Sequence, residues 1–147
     1  MAEENTSEGQ PVPETASLTF FLDHQIGRYT VAKMLRAAGL RVQVHLDHFP
    51  GNTPDHEWIP EVGRRGWVLI TKDQHIHRNP LERAAYVAAK LRGFVVTGKN
   101  MNGNELGNLL VPCLNGMVRR TARRTGPLLF TISRAGTFSK NLILRRM

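Results

Sequence analysis

Three short apolar segments of this 147-residue chain each end in an aspartate. The segments SLTFFLD, RVQVHLD and WVLITKD end at Asp23, Asp47 and Asp73. Their length and their content of Phe, Val, Ile and Leu are typical of buried β-strands. If these strands are parallel, their carboxyl ends share one edge of a sheet, which is where α/β proteins bind ligands. The spacing therefore predicts a crevice lined by carboxylates.

A crevice of this kind suits a hard divalent cation. Carboxylates within a few ångströms of one another take up protons unless a cation neutralises them. Mg²⁺ and Mn²⁺ prefer oxygen ligands and can hold a phosphate and a water for hydrolysis. Asp55 and Glu57 would join the site if the long loop 47–54 returns the chain to the carboxyl edge. Each acid also has a simpler explanation, because Asp is common at helix N-caps, in loops and in first helical turns.

Segments with helical periodicity separate the predicted strands. Apolar residues spaced i, i+3, i+4 and i+7 begin at Val31, and helix-start signals occur at Thr53, Asn79 and Asn102. A fourth strand is predicted over residues 93–97. The alternating order predicts an α/β fold with a central, mainly parallel sheet that is covered by helices on both faces.

Two prolines and the C-terminal segment modify this pattern. We expect Pro60 either to interrupt its helix or to restart it, and Pro112 to kink or split the following helix. The segment PLLFTISRAGTFSKNLI contains two strand-like halves on either side of Ala135-Gly136, and it predicts a C-terminal hairpin.

The formal charge of the chain is +8 and it is unevenly distributed. Four of the 12 acidic residues, but no Lys or Arg, lie in residues 1–16, MAEENTSEGQPVPETA. This stretch predicts a disordered acidic leader before a single domain at residues 17–147. The basic remainder favours a polyanionic partner such as nucleic acid, although a merely soluble basic protein would carry the same charge. A lone Cys113 and the lack of an apolar run of roughly 20 residues predict a cytoplasmic protein without a membrane span.

The segments FLDHQIGRYTVAKMLRAAGL and TPDHEWIPEVGRRGWVLITKDQHI together resemble the PIN-domain superfamily. More closely, they resemble a compact PIN-like branch related to VapC-type toxin ribonucleases, and the likeness is good from Leu18 to Thr97 and looser over the C-terminal third. In that pattern an Asp ends the first strand, a second Asp stands three residues before an apolar helix position, and Thr-x-Asp closes a later strand. The resemblance implies a three-layer α/β/α fold.

The resemblance also implies a function. It implies an endoribonuclease that depends on Mg²⁺ or Mn²⁺, acts on RNA and has a cognate antitoxin; such proteins often form homodimers. Asp23, Asp55 and Asp73 correspond to metal ligands, and Thr71 would hydrogen-bond a ligand or the attacking water. The second acid of the family usually lies on an intervening helix, where this chain has none, so Asp47 or Glu57 is expected to replace it.

Basic and histidine side chains flank the predicted crevice in the sequence. Those expected to contact RNA phosphates are Arg28, Lys72, His75, Arg78 and Lys99. A zinc site of His and Asp is an alternative use of the six histidines, but no HExxH or CxxC spacing supports it. The dense run Arg119, Arg120, Arg123 and Arg124 is either a solvated helix end or an RNA track.

Two other functions are compatible with parts of the pattern. A PIN-like fold without a complete acid set would bind nucleic acid or a protein partner without chemistry. A receiver domain also places aspartates after parallel strands, but it requires paired acids near the first strand, where only Asp23 is present. The ribonuclease hypothesis therefore ranks first.

Overall fold

A computed structural model describes residues 18–143 and shows a five-stranded, fully parallel sheet with the order β2-β1-β3-β4-β5. The strands are β1 (Thr19–Leu22), β2 (Arg41–Val44), β3 (Val68–Thr71), β4 (Arg92–Val96) and β5 (Leu128–Ile132). The helices are α1 (Thr30–Ala37), α2 (Asp55–Arg64), α3 (Pro80–Ala88), α4 (Gly103–Leu110) and α5 (Leu114–Thr121). The predicted acidic leader lies outside the described residues.

Helices cover both faces of the sheet, which confirms the expected three layers. On one face, α1, α4 and α5 contribute residues such as Leu35, Leu110 and Met117 to a buried core. On the other face, α2 and α3 contribute Trp58 and Tyr86 to a second core. All four residues of β3 are buried, because a central parallel strand contacts helices on both sides. Within residues 18–143, no helix combines the length and apolar character needed to cross a bilayer.

The sheet order places a ligand crevice at the ends of β1 and β3. The chain first adds β2 on one side of β1 and then crosses to add β3 on the other side. Such a reversal separates the loops that follow two neighbouring strands and leaves a gap between them. The register pairs Leu22 with Ile70, and the Asp23 N–H donates to the Ile70 carbonyl at 3.1 Å. Asp23 and Thr71 therefore lie at the same level, at the base of this gap.

The two prolines act differently. Pro60 lies inside the continuous helix α2, so it neither interrupts nor restarts that helix. Pro112 lies in a short 3₁₀ turn, Val111–Cys113, which separates α4 from α5 as expected.

The C-terminal hairpin is present, but its second arm is not a regular strand. After β5 the chain turns near Gly136, and Phe138 forms an isolated antiparallel bridge with Ile132. The N–H group of Leu129 then donates to the side chain of Asn141 at 2.9 Å, rather than to a backbone carbonyl of the returning arm. Thr131 N–H likewise donates to the Ser139 hydroxyl at 2.8 Å. Side-chain oxygens thus accept hydrogen bonds that backbone carbonyls would accept in a regular pair of strands.

Tyr86 joins α3 to the sheet through a buried hydrogen bond. Its side chain is fully buried, and its hydroxyl donates to the Leu128 carbonyl at 2.6 Å. Tyr86→Phe removes the donor and leaves a buried carbonyl without that partner, so we expect a loss of about 1–2 kcal/mol of unfolding free energy. Urea unfolding measures this loss. Tyr29→Phe is the matched control because Tyr29 is 74% exposed, and equal midpoints for the two variants would contradict the prediction.

Candidate active site

Asp23 and Thr71 form the buried base of the site. Asp23 is 1% exposed and Thr71 is 0% exposed. The Thr71 hydroxyl donates to Asp23 Oδ2 at 2.7 Å and accepts from the Asp73 N–H at 3.0 Å. The backbone N–H of His24 donates to Asp23 Oδ1 at 2.6 Å. These bonds fix the orientation of the Asp23 carboxylate and tie the loop after β1 to the loop after β3.

Asp55 reaches the same edge because loop 47–54 crosses back before α2 begins. Asp55 is the first residue of α2, and its Oδ1 accepts from the indole N–H of Trp58 at 3.0 Å. Trp58 is fully buried against Phe21, with ring centroids 5.5 Å apart. The core therefore holds the indole in place, and the indole holds the carboxylate.

Glu82 completes the site, although its sequence position did not single it out as a ligand. It lies in the first turn of α3, where the Asn79 side chain accepts from the N–H groups of Leu81 and Glu82. Asp55, Asp73 and Glu82 each offer one oxygen, and these oxygens all lie within 4.8 Å of one another. We call these three residues the acidic cluster. Glu82 Oε1 is buried and has no hydrogen-bond partner among the described residues.

Burial and the neighbouring carboxylates raise the pKa of two members of the acidic cluster, Asp55 and Glu82. Burial, followed by the charges of Asp23 and Glu82, raises the pKa of Asp55 to about 7, and the Trp58 hydrogen bond only partly opposes this. Burial and the charge of Asp73 also raise the pKa of Glu82. Without a cation, the protein holds these carboxylates together against their mutual repulsion. Mg²⁺ and Mn²⁺ prefer oxygen ligands, so the acidic cluster, with its Glu82 oxygen unpaired among the described residues, has donors that fit such an ion.

The structure does not bring Asp47 or Glu57 into this arrangement. Asp47 is in a 3₁₀ turn after β2 and accepts from Arg28 Nη2 at 2.9 Å, with both side chains about half exposed. The side chain of Glu57 is 61% exposed and lies 3.9 Å from His56 Nε2. Two residues along a helix correspond to a rotation of about 200°, so Glu57 points away from the side that Asp55 occupies. Glu82, rather than either of these residues, lies beside Asp55 and Asp73.

The residues predicted to bind phosphate differ in their exposure and in the contacts that they already make. Arg28 is already paired with Asp47. Lys72 is half-buried between Thr71 and Asp73, and the backbone N–H of His75 donates to Asp73 Oδ1 at 2.9 Å. Two others lie on loops: Arg78 follows the 3₁₀ turn Gln74–His77, and the carbonyl of Lys99 accepts from the Arg134 guanidinium.

The arginine run near the end of α5 is partly occupied by local contacts. The guanidinium of Arg120 lies 4.0 Å from the centroid of the Phe138 ring and donates to the Gly116 carbonyl at 3.1 Å. Arg124 donates to the Arg120 carbonyl at 3.2 Å. These contacts favour the interpretation of the run as a helix terminus.

Comparison with known proteins adds independent information. Residues 18–98 match the family model described as a PIN like domain. The chain is 30% identical over 117 residues to "Putative ribonuclease VapC45" of Mycobacterium tuberculosis (strain ATCC 25618 / H37Rv), an alignment that covers 76% of this chain and 83% of that relative. No solved structure gives a significant match. The family match includes Asp23 and the whole acidic cluster.

Proposed function

The chain belongs to the PIN-like domain family, as its sequence suggested, and on this basis we propose that it is a divalent-metal-dependent endoribonuclease. The observation that carries the proposal is the convergence of oxygens from Asp55, Asp73 and Glu82 within 4.8 Å. The relationship to a VapC-type protein supports RNA as the substrate, and the basic charge of the chain is compatible with it.

We assign the metal site to the acidic cluster together with Asp23. All four side chains offer carboxylate oxygens, the donors that Mg²⁺ and Mn²⁺ prefer. When bound, such an ion would polarise the phosphate and lower the pKa of a water molecule for attack on phosphorus. Thr71 would act indirectly, as a positioning residue. Its hydroxyl donates to the Asp23 carboxylate and so restrains the orientation in which that carboxylate meets the ion. The Trp58 indole restrains Asp55 in the same way.

The proposal includes a basic rim for the RNA backbone. Its members are Arg28, Lys72, His75, Arg78 and Lys99. Lys72 and His75 flank Asp73 in sequence. The positive charge of Lys72 would offset the repulsion between an acidic site and a phosphate, and the His75 ring would offer a hydrogen bond to a phosphate oxygen. Arg28 would have to exchange its Asp47 partner for phosphate, since the two side chains are ion-paired.

The alternative of a binding module without chemistry rested on the missing second acid. Glu82 offers an acid from a different helix, and this removes the reason for preferring the alternative. We further propose a cognate antitoxin as the protein partner, a cytoplasmic location and a homodimeric state, all by analogy with VapC-type proteins.

Metal removal tests the proposed function. Purified protein treated with a chelator should not cleave single-stranded RNA, and added Mg²⁺ or Mn²⁺ should restore cleavage. Asp73→Asn should remain inactive with either ion, whereas Asp47→Asn should still lose cleavage in the chelator and regain it with metal, because Asp47 contacts Arg28 instead of the cluster. Cleavage that persists in the chelator, or in Asp73→Asn at the parental rate, would refute the proposal.

A further inference from the structure

A second group of potential ligands adjoins the acidic cluster. One Asp23 oxygen, one His24 nitrogen and one His45 nitrogen all lie within 4.8 Å of one another. We call these residues the histidine cluster. The 3₁₀ turns that follow β1 and β2, His24–Ile26 and His45–Asp47, bring the two imidazoles together, with ring centroids 5.2 Å apart.

His45 is the feature of this group that most needs an explanation. It is 1% exposed, and neither ring nitrogen has a hydrogen-bond partner among residues 18–143. Its ring centroid lies 5.5 to 5.9 Å from those of Phe21, Phe49 and Trp58. Burying a polar group without a partner is unfavourable, and native proteins contain few such groups. If His45 only filled space among aromatic rings, an apolar side chain would do so without desolvating two nitrogens.

The geometry points to a ligand role for this imidazole. We propose that Asp23, His24 and His45 form a second cation site, selective for a borderline transition-metal ion such as Zn²⁺ or Co²⁺ over Mg²⁺. Imidazole nitrogen favours these ions, whereas the oxygen-only acidic cluster favours harder ones.

The distances and exposures within the histidine cluster suit such an ion. His24 Nδ1 and Asp23 Oδ1 are hydrogen-bonded at 3.1 Å. Two ligands of a tetrahedral zinc lie about 3.3 Å apart, so an ion could replace this hydrogen bond with little movement of either side chain. The His24 side chain is 41% exposed, so the third ligand faces solvent and leaves a position for water or substrate. Asp23 contributes its Oδ1 to this side and receives the Thr71 hydroxyl on Oδ2. Asp23 would thus belong both to this site and to the metal site proposed above, which comprises Asp23 and the acidic cluster.

Metal binding without RNA tests the site separately from ribonuclease activity. Titration with Zn²⁺ in excess Mg²⁺ should show one tight equivalent per chain, and X-ray absorption at the zinc edge should show scattering from imidazole. His24→Gln and His45→Phe should each lower the Zn²⁺ affinity at least tenfold and remove one imidazole from the spectrum. His24→Gln is informative even if His45→Phe fails to fold, because His24 is partly exposed.

Two controls separate this site from the acidic cluster. His48→Gln should bind Zn²⁺ as the parent does, because its Nε2 lies 2.7 Å from Gln43 Oε1 outside the histidine cluster. Glu82→Gln should also retain the tight equivalent. Unchanged Zn²⁺ affinity in His24→Gln, or loss of the tight equivalent in Glu82→Gln, would overturn the proposal. Both measurements follow Zn²⁺ binding alone, so they test the histidine cluster whether or not the protein cleaves RNA.

Discussion

Glu82→Gln is expected to lower the rate of RNA cleavage roughly a thousandfold while the protein stays folded. The substitution keeps the size of the side chain but removes one of three carboxylates whose oxygens lie within 4.8 Å of one another. A metal ion supplies several kcal/mol of transition-state stabilisation, and each 1.36 kcal/mol corresponds to about a tenfold change in rate. Initial rates on a single-stranded RNA, measured at fixed Mg²⁺, give the comparison.

The matched control is Glu57→Gln, which makes the same chemical change on a neighbouring helix. Glu57 is exposed and outside the acidic cluster, so its variant should retain the parental rate. Mg²⁺ should raise the melting temperature of Glu57→Gln as it does for the parent, because a ligand that binds only the folded state stabilises it. The shift should be much smaller in Glu82→Gln. Similar rates in the two glutamine variants would show that Glu82 is not a metal ligand.

Most of the fold could be predicted from the sequence because its signals are periodic and local. The apolar runs ending at Asp23 and Asp73 became neighbouring strands, and the helical spacing beginning at Val31 became α1. The second arm of the C-terminal hairpin was less predictable. Its pairing depends on the Asn141 and Ser139 side chains accepting from β5, and a pattern of hydrophobic residues does not record such bonds.

The candidate site was predictable where it follows strand ends. Asp23 and Asp73 each follow a parallel strand, so their place at the carboxyl edge of the sheet could be predicted. Predicting the place of Asp55 required in addition that the loop 47–54 cross back to that edge. Glu82 follows a related rule that the sequence analysis did not apply: the helix after a parallel strand begins at the carboxyl edge, so an acid in its first turn can face the same crevice. The functional roles of these residues stay predictions.

Asp47 shows why the position of an aspartate after a strand is insufficient. The 3₁₀ turn after β2 sets its direction, and Arg28, 19 residues earlier in the chain, holds it there. His45 shows the same limit, since only the assembled structure reveals that its nitrogens lack partners among the described residues. Side-chain direction at the end of a strand depends on turn geometry and on distant partners, and neither follows from spacing.

Asp55→Asn is expected to abolish cleavage and yet to stabilise the metal-free protein at high pH. The folded protein raises the pKa of Asp55 to about 7 from an ordinary value of 3.8. The Asp55 carboxyl therefore loses its proton less readily in the folded protein than in the unfolded chain. As the pH rises from about 4 to about 7, this difference lowers the free energy of unfolding of the parent protein. Asparagine keeps an oxygen that can accept from the Trp58 indole, but it buries no charge and has none to repel Asp23 and Glu82.

The gain should be about 1–2 kcal/mol at pH 8 in a chelator and should vanish near pH 4, where the parental Asp55 is protonated; the figure allows for the partial exposure of the group to solvent. Urea unfolding at the two pH values measures it. Asp47→Asn, which removes an exposed charge paired with Arg28, should show no such gain. At pH 8 in saturating Mg²⁺ the parent should instead be more stable than Asp55→Asn, because the parent binds the ion and gains stability from it. If Asp55→Asn were less stable than the parent at pH 8 without metal, the burial of the Asp55 charge and its repulsion by Asp23 and Glu82 could not be the cost that a bound cation relieves.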